Sequence, residues 1–150
     1  MVWLTGRLAL ATPEFTFSLR PDATLLFHFS ALTYNAHSIH IDPDYARNRE
    51  GYKGLLVHGP LTLVLMIQAL QACLTEVTWE GMLGSTLEGR SKPYVKSLSY
   101  RNLAPLYVDE EMKVCLRRTK SEEAGRYKWD VWIEGPEGGL AVKGSAITIW

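Results

Sequence analysis

The sequence predicts an α+β domain in which an antiparallel sheet wraps around one long helix. Three observations predict it: a dense apolar run over residues 59–76, four strand-like stretches downstream of it, and a hairpin signal between the last two.

The helix is predicted from "HGPLTLVLMIQALQACLTE", residues 58–76. Pro60 can occupy the first turn, where its missing N–H is not needed, and Gly59 lets the chain turn sharply just before it. Apolar residues fall on almost every face, so the helix is expected to be buried nearly all round. The strands are expected in "YVKSLSYRNL", "EEMKVCLRR", "RYKWDVWIE" and "LAVKGSAITIW", with "GPEGG" at 135–139 turning the last pair into a hairpin. Upstream, the aromatic and apolar density of "TLLFHFSA", residues 24–31, predicts another strand. The charged segment "ARNREGYKG" predicts a short helix around 44–47, capped by Asp42 ahead of Pro43, and then a turn at Gly51 or Gly54. Residues 1–23, with Pro13 and Pro21, read as an irregular lead-in with room for one strand. No internal repeat, low-complexity tract or linker divides residues 1–150, so they are read as one domain.

Composition narrows the function. The chain has 150 residues, 47% of them apolar and 21% charged, which is ordinary globular usage. Sixteen basic residues balance sixteen acidic ones, so no global field recruits nucleic acid or an anionic membrane. The basic run "LRRTK", residues 116–120, is expected to be a solvated strand end. Cys73 and Cys115 lie far apart in apolar surroundings and read as buried, reduced thiols. The opening "MVWLTGRLAL" lacks the pattern of a secretory signal, and an intracellular protein is expected. The run at 61–74 is interrupted by Thr62, Gln68 and Gln71 and is expected to be too short to span a bilayer.

Chemistry concentrates in "FHFSALTYNAHSIHID", residues 27–42, which holds His28, His37, His40, Asn35 and Asp42. Imidazoles titrating near neutrality suit proton transfer to and from carbon or oxygen. The Asn35 amide can orient a water or a carbonyl. The Gly59 N–H, at the head of a buried helix, is an unpaired donor reinforced by the helix dipole, as needed to polarise a thioester carbonyl and hold an enolate oxygen. Together these groups suit proton abstraction α to a carbonyl. His37, His40 and Asp42 are all metal-ligand types, but no second cluster completes a set, so no metal is expected.

The residues "FSALTYNAHSIHIDPDYA…EGYKGLLVHGPL", with "SYRNLAPLYVDEEMKV" downstream, resemble the MaoC-like hot-dog family of hydratases and dehydratases. The nearest likeness is to type 2 hydroxyacyl-thioester dehydratases and mesaconyl-CoA hydratases. The resemblance implies a hot-dog fold, a homodimer whose two sheets join, and an acyl-thioester tunnel beside the central helix. It implies no redox or metal cofactor, since coenzyme A or an acyl-carrier pantetheine is part of the substrate. Aligned on "H-x-D", His40 falls on the family's catalytic histidine, Asn35 on its catalytic aspartate and His37 on its asparagine. The exchange of aspartate for Asn35 removes a carboxylate that would activate water and leaves His40 most of the proton traffic.

The remaining polar residues are assigned by position. His28, between two phenylalanines of the expected strand, should point outward. His58 should satisfy backbone groups at the site wall, and Ser30 and Thr33 should tie the loop. His37, His58, Gln68 and Arg101 are candidate substrate contacts. For Gln68 the competing role is a sheet edge or dimer contact, and for Arg101 it is stabilising the loop beside the site. Two rival functions remain: isomerisation or ring closure of a polyketide-like carbonyl compound, which needs polarisation more than water activation, and a non-catalytic hot-dog subunit.

Overall fold

A computed structural model describes residues 12–82, 92–119 and 125–149, with the backbone alone over 77–82. Elements follow in the order β1 (Phe15–Leu19), α1 (Ala23–Thr33), a 3-10 turn (Ser38–His40), α2 (Pro43–Asn48), α3 (Gly59–Met82), β2 (Tyr94–Asn102), β3 (Met112–Thr119), β4 (Arg126–Glu134) and β5 (Leu140–Ile149). The five strands form one antiparallel sheet in the order β1-β3-β4-β5-β2, so β1 and β2 are its two edges.

Alternation divides the sheet into two faces. Val114, Leu116, Trp129, Val131, Ile133, Val142 and Ala146 are buried on the inner face, against Leu61, Met66, Leu70 and Leu74 of α3. Gly144 is the seat of that contact. A Cβ there would stand 2.8 Å from the terminal carbon of Met66 and 2.8 Å from the Ser99 carbonyl oxygen. Only glycine lets the helix sit this close to β5. On the outer face, one cross-strand row runs Thr16, Cys115, Trp132, Lys143 and Arg101. Arg117 and Asp130 pair at 2.5 Å on the same face, and the Arg118 guanidinium lies over the Tyr127 ring, so "LRRTK" is only partly a solvated end. Lys120 lies outside the described residues, as does the opening "MVWLTGRLAL". Cys73 and Cys115 are buried and free, and burial pushes their thiols up to about 11 and about 12, as suits reduced, inert cysteines. The "GPEGG" turn joins β4 to β5 through 2.9 Å bonds between Gly135 and Gly139 and between Gly138 and Gly135.

Several expectations are corrected. Residues 24–31 form helix α1, not a strand. The Asp22 carboxylate accepts the Leu25 N–H at 2.7 Å as its N-cap, and Leu26 and Ser30, one turn apart, are the buried positions. Aromatic density signalled a strand, but the cap and the four-residue spacing decided the outcome. His28 is exposed as expected, though on a helix. The expected lead-in contains β1, which pairs with β3 over five residues. Helix α3 runs to Met82, six residues past the expected end, and is not buried all round: Val64, Gln68, Gln71, Ala72, Thr75 and Glu76 form an exposed stripe. One sheet covers only one side of a helix, and that geometry overrides all-round apolarity. By length and composition α3 would suit a bilayer, contrary to expectation, yet its apolar side is spent on the sheet. Helix α2 forms as expected, with the Asp42 carboxylate accepting from the N–H groups of Asp44 and Tyr45 at 3.0 Å each.

Candidate active site

The segment 55–57 organises the site. Its Val57 N–H donates to Leu106 O (2.8 Å), Val108 N–H donates to Leu55 O (3.0 Å), and Leu56 N–H donates to Ile39 O (3.0 Å). This ribbon holds the 3-10 turn on one side and the loop after β2 on the other. It also aims the Leu56 carbonyl at His40, whose Nδ1 lies 2.8 Å away. A carbonyl only accepts, so Nδ1 carries the proton and, in the neutral ring, Nε2 keeps its lone pair. His40 is 8% exposed. Burial lowers its pKa below the ordinary histidine value, the Leu56 carbonyl raises it in part, and His37 lowers it slightly. The net shift is downward, which favours the neutral ring.

His58 and Gly59 stand at the head of α3. The His58 ring is stacked on His40, with centroids 3.7 Å apart and planes at 22°. It is fully buried, and its Nε2 lies 2.8 Å from the Ser30 hydroxyl of α1. His58 was expected to satisfy backbone groups; it meets a side chain 28 positions away instead. Burial first, and the His40 ring second, bring its pKa down to about 4. Next in the chain, Gly59 opens the helix, where the first N–H groups have no intrahelical acceptor. A Cβ on Gly59 would stand 2.6 Å from the Asn102 side-chain nitrogen, so the end of β2 closes over this turn. Thr62 Oγ1 donates to Gly59 O at 2.7 Å and lies 3.5 Å from Asn102 Oδ1.

His40 thus stacks on the residue that immediately precedes Gly59. Asn35 sits in the loop after α1, and its side-chain oxygen accepts the His37 N–H at 3.4 Å, an Asx turn. The His37 ring is exposed and meets His40 edge-on at 6.0 Å between centroids. Gln68 belongs to the exposed stripe of α3, away from this cluster. Arg101 projects from the outer face of β2, opposite the helix, while its neighbour Asn102 reaches Gly59. The alternation of β2 carried that information, but only once one residue of the strand had been placed. Thr33 ties to Phe29 O within α1, and Ser30 serves the site rather than the loop. Among the described residues no group of three or more metal-ligating side chains occurs.

One five-stranded antiparallel sheet packed on a single long helix is the hot-dog fold. The (R)-hydratase of A. caviae involved in PHA biosynthesis shares the fold with a TM-score of 0.66 and 24% identity, covering 95% of this chain and 98% of that one. A protein of Archaeoglobus fulgidus shares it with a TM-score of 0.68 and 22% identity, covering 94% and 80%. The chain belongs to the hydroxyacyl-thioester dehydratase type 2 family, whose profile matches residues 6–108. Mesaconyl-C(4)-CoA hydratase of Chloroflexus aurantiacus is 36% identical over 122 residues, 81% of this chain and 35% of that protein. The mitochondrial hydroxyacyl-thioester dehydratase type 2 of Schizosaccharomyces pombe is 24% identical over 119 residues, 79% of this chain and 35% of that protein. The chain spans about a third of the length of these curated relatives.

Proposed function

We propose that the chain is a hydro-lyase that adds or removes water across the α,β-bond of an acyl thioester carried on coenzyme A or an acyl-carrier pantetheine. The observation that carries this reading is the bond from His40 Nδ1–H to the Leu56 carbonyl. It leaves Nε2 as the free lone pair of a buried ring that stacks on His58, the residue before Gly59. Family membership supports the reaction class, and the Chloroflexus relative is by name a hydratase of a CoA thioester.

In the elimination direction, His40 Nε2 takes the α-proton of a 3-hydroxyacyl thioester. The Gly59 N–H and the head of the α3 dipole hold the charge that develops on the thioester oxygen. As the enolate collapses to the α,β-double bond, the β-hydroxyl leaves and takes the proton from the His40 imidazolium as water. Addition is the reverse. Asn35 and His37, on the loop beside His40, orient the departing or attacking oxygen, and Asn35 does so without a carboxylate's basicity.

The functional unit is read as a homodimer. Strand β2 is an edge of the sheet, Tyr94 on it is 55% exposed, and the stripe on α3, Phe27 and Leu32 of α1 and Tyr34 at its C-cap are left open. A second copy paired along β2 would continue the sheet.

His40→Ala should lower hydration of a crotonyl-type thioester about a hundredfold or more while the circular dichroism spectrum is kept. Asn35→Asp decides between water addition and the rival rearrangement of a carbonyl compound. In a hydratase it should preserve or improve turnover by adding a water-activating carboxylate. If the enoyl-thioester panel is inert with either residue at position 35, and no solvent deuterium enters any compound, the hydratase reading is wrong.

A further inference from the structure

We infer that Ser30 and His58 form a positioning pair for His40: the hydroxyl clamps the His58 ring, and the face of that ring fixes the plane of His40 and keeps water from it. This rests on the reading of His40 as the base. It gives His58 a part that acts through another residue, in place of a contact with substrate.

The packing around His58 is unusual for a wall residue. Its ring is fully buried between two elements: Ser30 and Phe29 of α1 on one side, the latter with ring centroids 4.9 Å away, and the 3-10 turn with His40 on the other. Nε2 has the Ser30 hydroxyl, while Nδ1 is buried with no hydrogen-bond partner. A buried polar atom left unpaired costs stability, and an apolar ring would fill the same space without that cost. What the imidazole offers beyond volume is a polar atom for Ser30 to hold, which sets its rotation about χ2, and a flat face at stacking distance from His40. Ser30 in turn is 6% exposed on the buried side of α1, one turn after Leu26, so the clamp is anchored in the core and not in a loop.

Stacking also bears on charge. During turnover His40 becomes an imidazolium. A neutral ring lying against it tolerates that charge through its π face, whereas a second cation would oppose it. The titratable groups facing His40 are His37, beside its own turn, and His58, from the head of α3. The ribbon contributes the Leu56 carbonyl and α1 contributes only the uncharged Ser30 and Phe29, through His58. Burial acts first on His40 and the Leu56 carbonyl second, and the stacked His58 ring supplies one covered face of that burial.

The test uses the full chain with 15N-labelled histidine, reading the tautomer and titration midpoint of each imidazole without substrate, alongside turnover on an enoyl thioester. In the wild type, His58 should hold one neutral tautomer down to about pH 5, and His40 should be the Nδ1–H form. Ser30→Ala should let His58 exchange between tautomers and admit water, moving the His40 midpoint up by about half a unit or more toward its ordinary value. The acid limb of the activity profile should move up with it, and kcat should fall about tenfold with KM nearly unchanged. Ser30→Thr, which keeps the hydroxyl, should restore both. A folded Ser30→Ala protein with the wild-type His58 tautomer and His40 midpoint overturns the pairing. If that variant does not fold, His58→Phe decides. It keeps the stacked ring without the clamp, and an unchanged His40 midpoint and orientation together with full turnover show that no clamp is needed. Because the imidazoles are read without substrate, a wild-type protein inert on every thioester counts against the hydratase reading alone.

Discussion

Two stretches of helix α3, about 10 Å apart along its axis, meet their surroundings in opposite ways. At Met66 the helix drops onto Gly144, with apolar side chains packed around a backbone already paired in the sheet. At Gly59 the same helix begins among His58, Thr62, Ser30 and His40, four buried polar side chains of which one carries an atom without a partner. The middle of the helix supplies stability, and its head is built at some cost to stability. The lesson is that a buried polar cluster on an otherwise apolar helix marks where this fold was shaped by something other than packing.

Three measurements bear on that contrast. The largest effect is expected from Gly144→Ala. The new methyl would meet both the Met66 terminus and the Ser99 carbonyl, and the backbone oxygen cannot swing away, so stability in urea should fall by about 1–3 kcal/mol. A loss within error would mean that the helix rides more loosely on the sheet than the contact distances imply. Acidification should then separate the head from the middle. The pKa of His58 is about 4 in the folded protein against 6.5 for an ordinary histidine, so the unfolded chain binds the extra proton first. The stability associated with a neutral His58 is fully present above pH 6.5 and is lost as the pH falls toward 4, by about 2 kcal/mol between pH 8 and pH 5. His58→Phe should flatten that slope, and an unchanged slope would mean that His58 is not the group responsible. The smallest effect belongs to His28→Ala, an exposed change on α1 that should shift stability by less than about 0.5 kcal/mol and leave activity alone. A large loss there would place function on the outer side of α1.

The sheet and α3 were legible because their signals are periodic and local. The strand stretches, the Gly-rich hairpin turn and the Pro60 helix start each predict an element from a few neighbouring residues. Helix α1 was hidden because Phe27, Phe29, Leu25 and Leu26 raise strand propensity, whereas the Asp22 cap is a single residue. His40 and Gly59 stood out in sequence because each lies in a recognisable block. The Ser30–His58 contact did not, since hydrogen bonds between side chains 28 positions apart leave no spacing rule to read. Arg101 and Asn102 show the same limit in small: choosing the wrong one of two neighbours on a strand puts a side chain on the wrong face of a sheet.

The Leu56 carbonyl that orients His40 belongs to a ribbon whose neighbouring bonds reach Ile39, Leu106 and the Val108 amide, and to no strand of the main sheet. Such a short ribbon can open on its own while the five strands stay paired. The His40 ring is therefore tethered to a ribbon held by only a few bonds outside the main sheet. Warming should free the His40 ring several degrees before the sheet melts, so the order at residues 55–57 sets a softer thermal limit than the core does.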